Sequence, residues 1–247
     1  MLETVREFAL EQLALAGETE ATRAAHVEAL LWQLDADLGV EASGPAEGSR
    51  AWSIPRLERE RENLRLALGW CAERQDGVRG LRLVTRATML WFHAGPRREG
   101  LAWLRRFLAP ADLPAWLRLR ALWSALMLAH WLGDVPAERA YVAEGLALAE
   151  VQGDEQAVER FLRGSIWRAL SDGDLTAAQA AAEWAVMLAC RHGDTVTQGK
   201  AQMQLGTVAH LRGDVVDAAA RYQEALALRA DEQWTYRNLG YLALQAG

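Results

Sequence analysis

An all-α solenoid, a stack of helix–turn–helix units, is the fold that this 247-residue sequence predicts. Three observations carry the prediction. The dipeptide Gly-Asp recurs at Gly133-Asp134, Gly153-Asp154, Gly173-Asp174, Gly193-Asp194 and Gly213-Asp214, at one constant spacing. Glycine tolerates the left-handed conformation that closes a helix, and an aspartate after it can cap the next one. Between these turns the apolar residues keep a helical period: Val215, Ala218, Tyr222, Ala225 and Leu226 fall on one face. Finally, no segment alternates apolar and polar residues between hairpin turns, so strands are not expected.

In chain order, residues 2–16 and 18–39 read as two amphipathic helices separated by Gly17, with Glu18 and Thr19 opening the second. Residues 40–55, VEASGPAEGSRAWSIP, are rich in Gly, Ser and Pro and read as a loop. From Arg56 onward, helices are expected at 56–75, 79–94, 97–109, 114–132, 136–151, 155–171, 174–191, 195–211, 214–229 and 232–246. Gly95 fits the frame of closing glycines, roughly one full unit before Gly133. Small residues at Ala218 and Ala225 allow close helix approach, with Tyr222 filling the gap between helices. The expected organisation is therefore linker helices over 1–39, a loop over 40–55, and a repeat superhelix over 56–247. Two helices and their turns make up its full unit of about 40 residues, within the range of helical repeat arrays. The chain stops where another Gly-Asp turn is due, so a truncated last repeat and a fragment of a longer protein are expected.

Composition removes several classes of function. Lys+Arg 27 against Asp+Glu 33 gives a net charge of −6, which disfavours a wholesale wrap onto nucleic acid or acidic lipid. Cys71 and Cys190 lie outside any C-x-x-C spacing, which suggests neither a disulfide framework nor a zinc site. No apolar run has the roughly 18 residues of a bilayer span, and the opening stretch carries Glu3, Glu7 and Glu11, unlike a signal peptide. A soluble, cytoplasmic protein without membrane partners is expected. Tryptophan is over-represented, at 11 against 4 Tyr and 4 Phe, and serves both cores and recognition surfaces.

AQMQLGTVAHLRGDVVDAAARYQEALALRA resembles a tetratricopeptide repeat through Leu205-Gly206, Gly213-Asp214, Ala218, Tyr222 and Ala225-Leu226. TYRNLGYLALQAG resembles the first helix of another repeat, with Tyr236, Leu239, Gly240 and Gly247. The longer spacing places the resemblance with long-unit, tetratricopeptide-like arrays, and it implies a right-handed superhelix. The front of the chain, MLETVREFALEQLALAGETEATRAAHVEAL followed by LERERENLRLALGWCAERQDG, is similar to the segment joining ATPase and repeat regions in bacterial STAND-class regulators, often LuxR-type or cyclase-linked. In that family a block like Leu2–Leu13 closes a winged-helix module, and the repeats are the sensor that restrains or releases the ATPase. The ATPase motifs themselves are missing. Gly193-Asp194-Thr195-Val196-Thr197-Gln198-Gly199-Lys200-Ala201 has one residue too many between its glycines, and Ala where a phosphate loop has Ser or Thr.

In stacked repeats the first helix of each pair lines the concave side. Aligned on the glycines at 95, 133, 173, 213 and 247, position −13 holds Arg82, Arg120, Arg160, Lys200 and Trp234. Position −10 holds Thr85, Trp123, Arg163, Met203 and Arg237, and position −6 holds Met89, Met127, Trp167, Thr207 and Tyr241. Position −3 holds Phe92, His130, Leu170, His210 and Leu244. These offsets lie on one helical stripe. One reading is a ligand groove: a basic ladder for carboxylates or phosphates beside an aromatic and methionine floor. Its candidates are Arg82, Arg120, Trp123, Met127, Arg160, Arg163, Trp167, Lys200, Met203, Trp234, Arg237 and Tyr241. The other reading is a solvated face that accepts arginine freely, with tryptophans filling wide gaps between helices. Trp91, Trp103 and Trp184 fall off the stripe and are expected in the core.

His130 and His210 are two repeats apart, too far to share a zinc ion. Arg237-Asn238 sits where carboxylate-clamping repeats place a basic residue and an Asn, but the matching Asn is absent from the other repeats. No G-x-S-x-G, H-E-x-x-H or strand–Gly-rich-loop–helix motif is present, so neither a catalytic nor a metal site nor a cofactor is expected. The expectation is a non-catalytic sensor module. It would bind a protein, peptide or anionic small molecule, and its further partners would be the ATPase and effector domains of a parent chain. A passive protein–protein scaffold is the alternative, and direct nucleic-acid binding is disfavoured by the net charge.

Overall fold

The computed structural model of the chain describes residues 3–38, 54–110, 112–228 and 232–245. Helices dominate, and no β-strand occurs among the described residues. The fold is an all-α helical repeat whose successive helices pack against their neighbours, and the chain divides into two compact units, Met1–Leu128 and Ala129–Gly247.

In the first unit, α1 (Glu3–Ala16) and α2 (Thr19–Leu38) meet at Gly17, whose φ of 71° suits glycine, as expected. Most of the expected loop at 40–55 lies outside the described residues. Its last two positions, however, open a helix, α3 (Ile54–Arg59), with Pro55 in the first turn, where its missing N–H costs nothing. The expected helix at 56–75 is interrupted at Glu60, which takes φ −87°, ψ 1° between α3 and α4 (Arg61–Glu73). The expected helix at 79–94 is also divided, into α5 (Gly77–Arg86) and a π turn, Leu90–Ala94. Asp76 starts α5 early by accepting the Arg79 N–H at 3.0 Å. Towards its end the hydroxyls of Thr85 and Thr88 bond back to the carbonyls of Leu81 (2.6 Å) and Thr85 (2.8 Å), a habit that bends helices. Gly95 then lies at φ −107°, ψ 172°, extended and not left-handed, and so stands outside the series of closing glycines. The unit continues through α6 (Arg97–Leu108) into α7 (Ala115–Leu132), within which the chain divides.

A left-handed closing turn does occur between α4 and α5, but on glutamine. Gln75 has φ 57°, and the Asp76 N–H reaches back to the Cys71 carbonyl at 2.8 Å, the six-to-one bond of a Schellman motif. A side chain in this conformation costs about 1–2 kcal/mol. Gln75→Gly is expected to raise stability by about 1 kcal/mol, seen as a higher urea midpoint; an unchanged or lower midpoint would contradict this account of the turn.

The second unit comprises α8 (Val135–Gln152), α9 (Glu155–Asp172), α10 (Leu175–His192), α11 (Thr195–Leu211), α12 (Val215–Ala227) and α13 (Glu232–Gln245). All five Gly-Asp dipeptides do what their chemistry dictates. The glycines have φ of 67°, 64°, 76°, 66° and 84°. Each aspartate carboxylate accepts the backbone N–H three residues on, at 3.3 Å for Asp134 and 2.9–3.0 Å for Asp154, Asp174, Asp194 and Asp214. Each aspartate N–H also closes the preceding helix, as Asp154 does on the Ala149 carbonyl at 3.0 Å. The two residues thus satisfy orphan groups at both helix ends.

Helices α8 to α13 each pack on the next, and α11 also touches α9 and α13, so the first helices of the pairs form a row. Ile166, Ala178, Ala182, Leu205 and Val208 build one core cluster, and Ala209, Ala218, Tyr222 and Leu242 the next. Close approach depends on glycine. A Cβ at Gly145 would overlap the Phe161 ring, and one at Gly206 would come within 2.7 Å of the Tyr222 ring. Tyr222 and the alanines at 218 and 225 are fully buried, in line with the reading of that segment.

Candidate functional site

The twelve stripe residues fall in both units. Arg82, Arg120, Trp123 and Met127 belong to the first. There Arg82 donates to Asp35 of α2 at 3.0 Å, and Arg86 lies 2.8 Å from the same carboxylate, so Arg82 serves to fasten α5 to α2. Trp123 keeps 6% of its surface, while Arg120 and Met127 are half-buried.

In the second unit, α9 and α11 place Arg160, Arg163 and Lys200 around Glu159, with Asp194 at the head of α11. Lys200 is 8% exposed. Arg163 Nε lies 3.4 Å from Glu159 Oε1. Burial pushes the Glu159 carboxyl above its ordinary range against the attraction of Arg163. Burial, reinforced by the like charge of Arg163, pushes Arg160 down. Burial also works to raise Asp194, but the bonds from Thr197 and the charge of Lys200 hold it low. This part of the basic ladder is therefore an ionic cluster packed within the unit, the cations Arg160, Arg163 and Lys200 against the carboxylates Glu159, Asp194 and Asp154. Met203 packs at the edge of the Tyr222 cluster.

Trp167 is half-buried and sits 5.3 Å from the His130 ring, joining a network that sequence reasoning did not single out. Glu138 in the first turn of α8 is 1% exposed. It lies 2.9 Å from His130 Nδ1 and accepts from Arg168 of α9 at 3.1 Å. Arg168 in turn grips Asp172 with bonds of 2.8 and 3.0 Å. Nothing in the local sequence separates Glu138 from the other helix-opening carboxylates; only its partner 30 residues away makes it structural.

The stripe reaches solvent on α13. Thr235 and Leu242 turn inward, at 0% and 4% exposure, and leave Trp234, Arg237 and Tyr241 on the outer side. Trp234 is 45% and Tyr241 53% exposed, and the Arg237 guanidinium carbon lies 3.7 Å from the centre of the Trp234 ring. Stacking holds the cation still while its donors remain available, an arrangement suited to a carboxylate or phosphate beside an apolar group. The off-stripe tryptophans divide. Trp91 is fully buried, Trp103 is half-buried and stacks on Phe107 at 5.9 Å, but Trp184 is 39% exposed and so is not the core residue expected. Among the described residues no group of three or more His, Cys, Asp or Glu side chains is placed to hold a metal ion. Both cysteines are free, and burial pushes the Cys71 thiol up to about 12. No helix of the described residues is long and apolar enough to cross a membrane.

No family model matches the chain. It is 33% identical over 172 residues to proteins of Mycobacterium bovis and Mycobacterium tuberculosis that carry the description "Putative HTH-type transcriptional regulator". The similarity takes in 66% of this chain and 19% of each relative, so the chain matches about a fifth of the length of these curated relatives.

Proposed function

We propose that this chain is the non-catalytic, cytoplasmic sensor module of a STAND-type transcriptional regulator, with tetratricopeptide-like repeats that bind an acidic peptide, a protein segment or a small anion. The observation that carries the reading is the exposed Trp234–Arg237–Tyr241 stripe on α13, a first helix packed beside α11. The similarity to transcriptional regulators and the regular Gly-Asp hairpins support it. Ligand binding would favour one arrangement of repeats and linker helices and so bias an ATPase and effector output in the parent chain. The alternative is a scaffold that holds a partner without responding to it.

The test is selection of a random acidic-peptide library on the immobilised chain, with Trp234→Ala/Arg237→Glu as the counter-target. Both side chains are exposed, so the variant keeps its fold. Peptides held by the wild type should lose about tenfold or more in affinity with the variant. Equal binding by both would remove the stripe as the site. Hydrogen exchange then separates the two readings: a ligand-induced change over residues 3–38 supports a sensor, and its absence supports a scaffold. Retention of nucleic acid with steep salt dependence would replace both.

A further inference from the structure

A cavity of about 350 Å³ lies within the first unit, among α1, α2 and α4. That volume is at the lower end of the range of small-ligand sites. Its walls differ in character. Thr19, Thr22, Arg23 and His26 recur at helical spacing along α2 and make a polar wall, while Leu10 and Leu13 of α1 and Leu66, Ala67 and Trp70 of α4 supply apolar surface.

Three features distinguish this cavity from a packing fault. The first is Gly69. A glycine inside a helix costs about 1 kcal/mol relative to alanine, and at Gly80, Gly100, Gly145 and Gly206 the structure shows why it is needed, since a Cβ would strike an aromatic ring. At Gly69, half-buried on the cavity wall, a Cβ meets no atom within 4 Å. Packing does not require that glycine, and the open space beside it would admit a side chain. The second is Thr19 at the head of α2, whose Oγ1 is buried with no hydrogen-bond partner among the described residues, a state that costs about 1–3 kcal/mol. The third is that the walls are fixed from outside the cavity. Trp70 Nε1 donates to Glu20 at 3.2 Å, and Arg65 grips Glu99 through Nε and Nη2 at 2.7 and 2.6 Å.

Charge names the ligand class. The lining carries two cations, Arg23 and Arg65, with the His26 imidazole beside them, against a single carboxylate, Glu73. Arg65 is already engaged by Glu99 and Glu62, whereas the approach of Arg23 to Glu73 is long, at 3.8 Å. We infer that the cavity among α1, α2 and α4 binds a small amphipathic carboxylate, its aryl or alkyl body against Leu10, Leu13 and Trp70, its carboxylate towards Arg23 and His26. This site is separate from the α13 stripe, and neither depends on the other.

The test compares 4-phenylbutyrate with its uncharged analogue 4-phenylbutan-1-ol by isothermal titration calorimetry on the full chain. The carboxylate should bind with a Kd of roughly 1 mM or tighter, the level that ligand efficiency allows a probe of this size. Gly69→Leu should fill the space, reduce binding of both probes about tenfold or more, and melt no lower than the wild type, because leucine is the better helix former. Arg23→Gln, at an exposed position that carries no folding load, should weaken the carboxylate about tenfold and leave the alcohol unchanged. Undiminished binding to Gly69→Leu, equal effects of Arg23→Gln on both probes, or no carboxylate binding to the wild type would each overturn the proposal.

Discussion

Exchanging Glu138 for alanine lowers the stability of the Ala129–Gly247 unit by about 3 kcal/mol, the lower end of the range for breaking a buried ion pair. Its carboxylate is 1% exposed and lies 2.9 Å from His130 and 3.1 Å from Arg168, so it joins the end of α7, the start of α8 and the C-terminal part of α9. Removing it strands an Arg168 guanidinium whose side chain is only 15% exposed. Asp172 still holds that guanidinium at 2.8 Å, which is why the loss falls at the lower end. Glu138→Gln keeps the volume and one acceptor and should lose about half as much. In Glu138→Leu/Arg168→Met both charges leave together, and the double variant should be more stable than the sum of its singles by about 1–3 kcal/mol. Urea titrations of the four proteins measure this coupling. Simple additivity would mean that Glu138 and Arg168 do not act as a pair.

Phe161→Ala should cost about 3–5 kcal/mol, the usual range for emptying a fully buried aromatic site. The ring lies against the backbone of Gly145, where a Cβ would overlap it. Gly145→Ala alone should cost about 1–3 kcal/mol by overpacking, since the obstacle is a buried ring and not the end of a flexible chain. Combining it with Phe161→Leu gives the new methyl room, so the pair should cost less than the two changes summed. The same division of space recurs at Gly206 and Tyr222, which stand at the same separation across a Gly-Asp turn. Melting of the two single variants and the double decides the matter. A Gly145→Ala protein as stable as the parent would show that α8 and α9 can move apart without loss.

The Gly-Asp turns were legible because their information is local: a left-handed φ and a carboxylate one residue later are set by two side chains alone. The turn on Gln75 carries no such mark, since glutamine has no chemistry that favours φ 57°, and backbone bonds such as that to the Cys71 carbonyl, with the Asp76 cap, hold it there. Gly95 misled in the other direction, being a glycine after a helical pattern that turns out extended. The stripe was harder to read. Periodicity places Arg82, Lys200 and Trp234 at equivalent positions but says nothing about what lies opposite. Asp35 comes from a helix 47 residues away to meet Arg82, Lys200 is buried near Glu159 of α9, and Trp234 is left open to solvent. Exposure is a tertiary property, and an arginine column looks the same whether it faces a ligand or a buried glutamate.

The five Gly-Asp turns also bear on how this chain acquires its shape and how it tolerates rearrangement. In the second unit each helix meets chiefly its immediate neighbours, so contact order is low and the unit should fold quickly, pair by pair, without waiting for distant segments to find each other. The turns share one geometry, so a cut at one can be spliced to another. Excising Gly153–His192, one full pair of helices with its turns, joins Gln152 to Gly193 and restores a Gly-Asp turn at the seam, with first and second helices still alternating. Excising a single helix with its turn also restores a Gly-Asp seam, but it puts a second-helix sequence in a first-helix place and exposes its buried alanines. Lineages carrying such arrays should therefore gain and lose length in steps of the pair, never of the single helix.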